Sequence, residues 1–209
     1  DPIPTLPEPV LLEGQAPPGL WDGLAEQVRA AGFKLSKVGQ DPVLGNADGV
    51  TDYAGRRVLV RIDDAEANEV ATLAHELAHV LLHGPDNDEA RQHRGISEVE
   101  AESAALMIAA AHGMDTSPYT VPYVSGWASS VKGTEPVDVV KQTGERVLKT
   151  AKAILDQLTT TQIGDGNPPG FNREAVKSDA PRRGATDAGR SSPAPTAYVA
   201  DPVSVGRGL

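Results

Sequence analysis

The stretch ATLAHELAHVLLHG, Ala71–Gly84, decides how this chain is read, because it places His75, His79 and His83 at four-residue intervals in otherwise aliphatic text. The whole chain holds only five histidines, so three on one side of a single helix is a concentration that needs a cause. On an α-helix, residues i and i+4 share a face and lie about 6 Å apart along the axis, so His75 and His79 can turn two imidazole nitrogens toward one cation. Zinc takes ligands at about 2.0–2.1 Å in a tetrahedral array, and a catalytic site uses three protein ligands and a water. Glu76 adjoins His75 and is near enough to act as a base on that water, so His75-Glu76-Leu77-Ala78-His79 is an H-E-x-x-H unit of two ligands and a base. The ordinary alternative is a solvated helix face. The aliphatic flanks argue against it, because a glutamate and two histidines among core residues are costly unless partnered, and a metal ion supplies the partners.

His83 sits two turns from His75, about 12 Å along the axis, and cannot share that ion on a straight helix. A third histidine arriving after a chain reversal needs Gly seven and His ten residues past the first; Leu82 and Pro85 stand there. His83 is therefore expected at the helix C-terminus, meeting the dipole and the last carbonyls. His93 and His112 are expected as surface or helix-end groups.

The third ligand should then be a carboxylate from a second helix. RGISEVEAESAALMIAAA, residues 94–111, offers Glu98, Glu100 and Glu102 ahead of an apolar run. Ser97 and Glu100 have the S-x-x-E spacing of a capping box, which gives Glu100 a structural task. Glu98 and Glu102 share a face rotated away from it. Glu98 is the expected ligand and Glu102 the carboxylate that orients a liganding imidazole through its other N–H, with Glu102 as the alternative ligand. An acidic helix start complementing the dipole would explain the acids, but not why Glu102 lies within apolar text.

Working outward, GLWDGLAEQVRAAGF reads as an amphipathic helix with Leu20, Trp21, Leu24, Val28 and Ala31 on one face and Gly32 as its stop. GVTDYAGRRVLVRID reads as a hairpin turning at Ala54-Gly55, with Val58–Ile62 as a strand covered on both faces. Asp63-Asp64 is expected to cap a helix from Ala65 to about Leu82. HGPDNDEARQHRG is a loop. Further helices are expected from Glu98 to His112, closed by Gly113, around Tyr123–Val131, and from Val137 to Leu158. The expected fold is α+β, a small antiparallel sheet packed on the histidine helix and the following glutamate-bearing helix. Residues 1–17 are Pro-rich linker, 18–158 a single domain, and 159–209 a Gly/Pro/Ser-rich tail expected to be disordered. The chain does not begin with Met and is read as a processed product or a piece of a longer protein.

A net charge of −10 speaks against a nucleic-acid surface in this segment, since duplex affinity comes largely from basic groups. With no cysteine, disulfides, Cys-ligated metals and thiol nucleophiles are excluded. No apolar run is long enough to span a bilayer and no signal segment is present, so no membrane role and a cytoplasmic location are expected. Oligomeric state is not legible.

HELAHVLLHG and SEVEAESAALMI resemble zincin-type metallopeptidases of the gluzincin kind, in particular the ImmA/IrrE-like family and the related C-terminal peptidase-like domain of ArdC-type antirestriction proteins. The likeness covers about Val58–Trp127. It implies a zincin-like fold, Zn²⁺ held by His75, His79 and Glu98, and hydrolysis of a protein or peptide substrate with Glu76 as general base. It also implies a specific regulatory role in a mobile-element or stress context. ArdC-like proteins carry an N-terminal single-stranded-DNA-binding domain that this sequence lacks, so DNA binding does not carry over. Val58–Arg61 is expected as an edge strand that pairs with substrate. Tyr123, or Tyr119, is the candidate hydrogen-bond donor to the oxyanion. The rival reading is a non-catalytic, zinc-stabilised antirestriction or protein-binding module.

Overall fold

The computed structural model describes residues 12, 14–39, 41–62, 65–84 and 94–164. They form an α+β fold of five helices and a three-stranded sheet: α1 Leu20–Ala30, β1 Lys34–Val38, β2 Gly49–Asp52, β3 Arg57–Arg61, α2 Glu66–Leu82, α3 Arg94–Ala111, α4 Ser117–Ser130 and α5 Pro136–Gln157. The expected Asp63-Asp64 cap, His93, and most of the linker and tail lie outside the described residues. None of the described helices is long and apolar enough to cross a membrane.

The first helix forms as its periodicity dictates. Leu20, Leu24 and Val28 are fully buried along one stripe, and the helix ends in a Schellman turn. Gly32, at φ 83°, donates to Arg29 O and Phe33 donates back to Val28 O, a left-handed position that glycine adopts without steric penalty. Gly113, at φ 75°, closes α3 in the same way, with Gly113 N bonded to Ala110 O and Met114 N to Ala109 O.

The sheet is mixed. β2 and β3 are the expected antiparallel hairpin, with Gly49 opposite Val60 and Asp52 opposite Arg57. β1 adds in parallel to the other side of β3, Lys34 opposite Arg57 through Val38 opposite Arg61, so the strand order is β1-β3-β2. The wholly antiparallel sheet expected from sequence is corrected by this strand, whose KLSKV text is too polar to read as one. The central position of β3 explains why Val58, Leu59 and Val60 are buried in succession. It also corrects the expectation that Val58–Arg61 is a substrate-pairing edge. The edges are β1 and β2.

Two boundaries differ from the sequence reading. α3 begins at Arg94, not Glu98, so Ser97 lies inside the helix and the Ser97–Glu100 capping box does not form. α4 runs through Pro122, where sequence reading starts only a short helix. An interior proline costs a helix about 3 kcal/mol, but Val124, Trp127 and Ala128 pack with Val99 and Val139 of the neighbouring helices, and tertiary packing overrides the local preference.

The main core joins α1, β3, α2 and the ends of α3 and α5 through Leu24, Val58, Leu73, Leu77, Ile108 and Ile154. A second cluster, Ala78, Ala101, Ala104, Val147 and Ala151, lies between α2, α3 and α5. Its alanines let α2 and α3 approach closely, which brings the glutamates of one within reach of the histidines of the other. The packed unit extends beyond Leu158: Ile163 N bonds Ala111 O, and the Thr160 hydroxyl meets the buried His112, whose Nδ1–H donates to Ile108 O.

Candidate metal centre

His75 and His79 stand one turn apart on α2, and their Nε2 atoms are 3.0 Å from each other. Glu98, on the first half of α3, places Oε2 at 3.5 Å from His75 Nε2 and 3.8 Å from His79 Nε2. A tetrahedral ion with ligands at about 2.0–2.1 Å separates them by roughly 3.3–3.4 Å, so the three atoms already span the distances such an ion requires. Among the described residues these three form the one His/Asp/Glu group able to hold a metal ion, with the candidate atoms all within 4.8 Å of one another. Glu98, not Glu102, brings an oxygen close to both Nε2 atoms.

The other imidazole nitrogens are committed. His75 Nδ1 lies 2.8 Å from Glu102 Oε2, and the opposite oxygen, Oε1, accepts from the Thr120 hydroxyl of α4 at 2.6 Å. A carboxylate only accepts, so His75 Nδ1 carries a proton, and Nε2 is turned toward the cluster. His79 Nδ1 lies 2.8 Å from His83 Nδ1, and His83 Nε2 lies 2.9 Å from Glu100 Oε2. Glu100 Oε1 in turn accepts from Arg146 Nε of α5 at 2.5 Å. His83 is thus at the C-terminus of α2, as its sequence position suggests, but it is buried and its ring bonds His79 and Glu100 instead of the last carbonyls.

Electrostatics follow from the same contacts. Burial opposes a charge on His75, yet the hydrogen bonds it donates to Glu102 and Glu98 outweigh that and raise the imidazole well above its usual range. Burial likewise opposes the Glu98 anion, and hydrogen bonds from His75 and His79 overcome it, holding the carboxyl well below its usual value. At His83 burial dominates the hydrogen bond donated to Glu100 and lowers the pKa, favouring the neutral ring. Burial, and then the Glu98 charge, pushes the Tyr123 phenol upward, so it remains a donor; its hydroxyl reaches Glu98 Oε2 at 3.1 Å. Tyr123 therefore touches the third candidate ligand, and Tyr119 stacks on it with ring centroids 5.4 Å apart.

The base candidate, Glu76, is buried beneath the edge strand β2. The Thr51 hydroxyl donates to Glu76 Oε2 at 2.6 Å. A Cβ on Gly49 would meet Glu76 Oε1 at 2.6 Å and Thr72 Cγ2 at 2.6 Å, so glycine makes room for the carboxylate there. The Tyr53 hydroxyl donates to His79 O at 2.8 Å. Residues 49 and 51 share the α2-facing side of β2, and Tyr53, just past the strand's end, continues toward α2. Sequence reading missed Thr51, Thr120, Arg146 and the role of Glu100. The alternation in GVTDY was a signal for the first, whereas the S-x-x-E spacing pointed away from the last.

A family model, the IrrE N-terminal-like domain of the M78 peptidases, matches residues 38–121, from the end of β1 into α4. This segment belongs to the ImmA/IrrE-like metallopeptidase family. The M78 segment contains His75, Glu76, His79, Glu98 and Glu102 but neither Tyr123 nor Arg146. An uncharacterized protein of Bacillus anthracis is 27% identical to this chain over 143 residues, covering 65% of this chain and 24% of that protein. The chain thus spans about a quarter of that relative's length. No solved structure matches it significantly.

Proposed function

We propose that the M78 domain is a zinc-dependent endopeptidase that cleaves a specific protein or peptide substrate in the cytoplasm as a regulatory step. The observation that carries this reading is the convergence of His75 Nε2, His79 Nε2 and Glu98 Oε2 at 3.0–3.8 Å, with the other nitrogen of each imidazole taken by a partner. Two nitrogens, one carboxylate and no thiolate suit zinc and leave a fourth position for water. When bound, zinc lowers the pKa of a water and polarises the scissile carbonyl. Glu76 accepts the water proton and returns it to the leaving amine. Thr51, bonded to one Glu76 oxygen, leaves the other to do this work. Tyr123 holds Glu98 through its phenol, and the same hydroxyl, once turned away from Glu98, would be the donor to a carbonyl oxygen that gains charge. β2, an edge strand lying over Glu76, offers its free side to an extended peptide.

The test is Glu76→Gln. Zinc content is expected to stay at the wild-type level while cleavage falls by about 10²–10⁴-fold, the usual worth of a positioned acid–base group. Retained hydrolysis would reject Glu76 as the base. Zinc binding with no cleavage of any co-expressed candidate substrate, by wild type or variant, would favour a non-catalytic binding module.

A further inference from the structure

The two ligand imidazoles are held differently. His75 leans directly on a carboxylate, whereas His79 leans on a second histidine, and the carboxylate lies one group further out. The run His79–His83–Glu100–Arg146 crosses three helices and ends on α5, outside the segment the family model matches. This inference rests on the zinc reading and concerns what prepares His79 for that ion.

The direction of every hydrogen bond in the run is fixed from its outer end. A guanidinium has donors only, so Glu100 Oε1 accepts from Arg146. The charge of Glu100 is thereby balanced, and its second oxygen also accepts, so the proton of His83 lies on Nε2. A neutral imidazole carries one N–H, so His83 Nδ1 is an acceptor and His79 Nδ1 the donor to it. That leaves His79 Nε2 with a free lone pair, aimed at His75 Nε2 and Glu98. If the run were reversed, the His79 proton would sit on Nε2 and point into the cluster.

We propose that Arg146, Glu100 and His83 are positioning residues that lock His79 in the tautomer able to bind a metal ion. Because the lock depends on which atoms donate, it can be inverted without removing a side chain. In Glu100→Gln the amide oxygen turns to Arg146 and the NH₂ faces His83 Nε2. His83 must then accept there and donate from Nδ1, which moves the His79 proton to Nε2. Adding Arg146→Met frees the amide oxygen to turn back to His83 and restores the original direction.

Three readouts test this. Long-range ¹H–¹⁵N NMR of the metal-free wild type is expected to show His79 protonated at Nδ1; protonation at Nε2 overturns the proposal whatever the variants do. Zinc affinity, by competition with a chelator, is expected to fall about 10–100-fold in Glu100→Gln, to fall by less in Arg146→Met, which keeps the accepting carboxylate but takes away the cation that holds it, and to recover in the double variant to the level of Arg146→Met. A Glu100→Gln affinity equal to wild type, or a double variant no tighter than Glu100→Gln alone, rejects the lock. Thermal unfolding separates this from general damage, which the second substitution would deepen and not repair. Failure of the wild type to bind zinc would reject the metal reading itself, while the tautomer remains measurable without the ion.

Discussion

The outer helices α1 and α5 and the inner pair α2 and α3 bury their residues by different rules. In α1 and α5 the buried face is almost wholly apolar, Leu20, Leu24 and Val28 in one, Val139, Val147 and Ile154 in the other, with charge on the opposite side. In α2 and α3 the interior includes Glu69, Glu76, Glu100, Glu102 and His83. A buried carboxylate or imidazole is costly without a partner, and here each partner comes from another element: Lys37 of β1 for Glu69, Thr51 of β2 for Glu76, His75 and Thr120 for Glu102, Arg146 for Glu100. The outer helices need a greasy surface to lie on. The inner pair needs particular atoms at particular distances, which is why the site is found there.

That contrast can be broken or sharpened by substitution. The largest effect on stability is expected from Leu24→Ala in the outer layer, a loss of about 2–5 kcal/mol by chemical denaturation, with zinc affinity of the remaining folded protein unchanged; a matching loss of metal would show that the two layers are not separable. Gly49→Ala should come next. Its methyl group meets Glu76 and Thr72, so a cost of about 1–3 kcal/mol from overpacking is expected together with reduced cleavage at normal zinc content, and full activity would show that Glu76 does not depend on β2. Glu102→Gln tests the inner layer with little change of volume. Stability should move by no more than about 1–1.5 kcal/mol, while zinc binding weakens by about 10–100-fold, seen by chelator competition.

The smallest effect belongs to the surface hairpin. The Gly55 amide, and then Arg57, holds the Asp52 carboxyl below its usual value. A folded-state pKa below the unfolded one stabilises above the unfolded value, about pH 4, and that contribution disappears as the pH falls through the folded value. Denaturation curves of wild type and Asp52→Asn should therefore differ slightly at neutral pH and converge in acid. Divergence in acid would show that the hairpin contacts do not lower the carboxyl.

The pairing of His75 with His79 was legible because its key spacing is local. Four residues bring His75 and His79 to one face wherever that helix lies, and the same spacing paired Glu98 with Glu102. Glu100 was misread for the complementary reason: S-x-x-E is a capping signal only at a helix start, and α3 starts three residues before Ser97. β1 was hidden by its polarity, since KLSKV is mostly solvent-facing and is held by backbone pairing with β3.

What the chain determined by itself was periodicity: which faces are apolar, where Gly32 and Gly113 end helices, and which imidazoles share a turn. Tertiary structure decided the rest, including the central place of β3, the placing of Glu98 beside the two Nε2 atoms, and the run from Arg146 to His79. Local spacing is set by the geometry of one helix, but a hydrogen bond between helices depends on how closely they pack, and here that closeness comes from alanines far from the atoms they bring together.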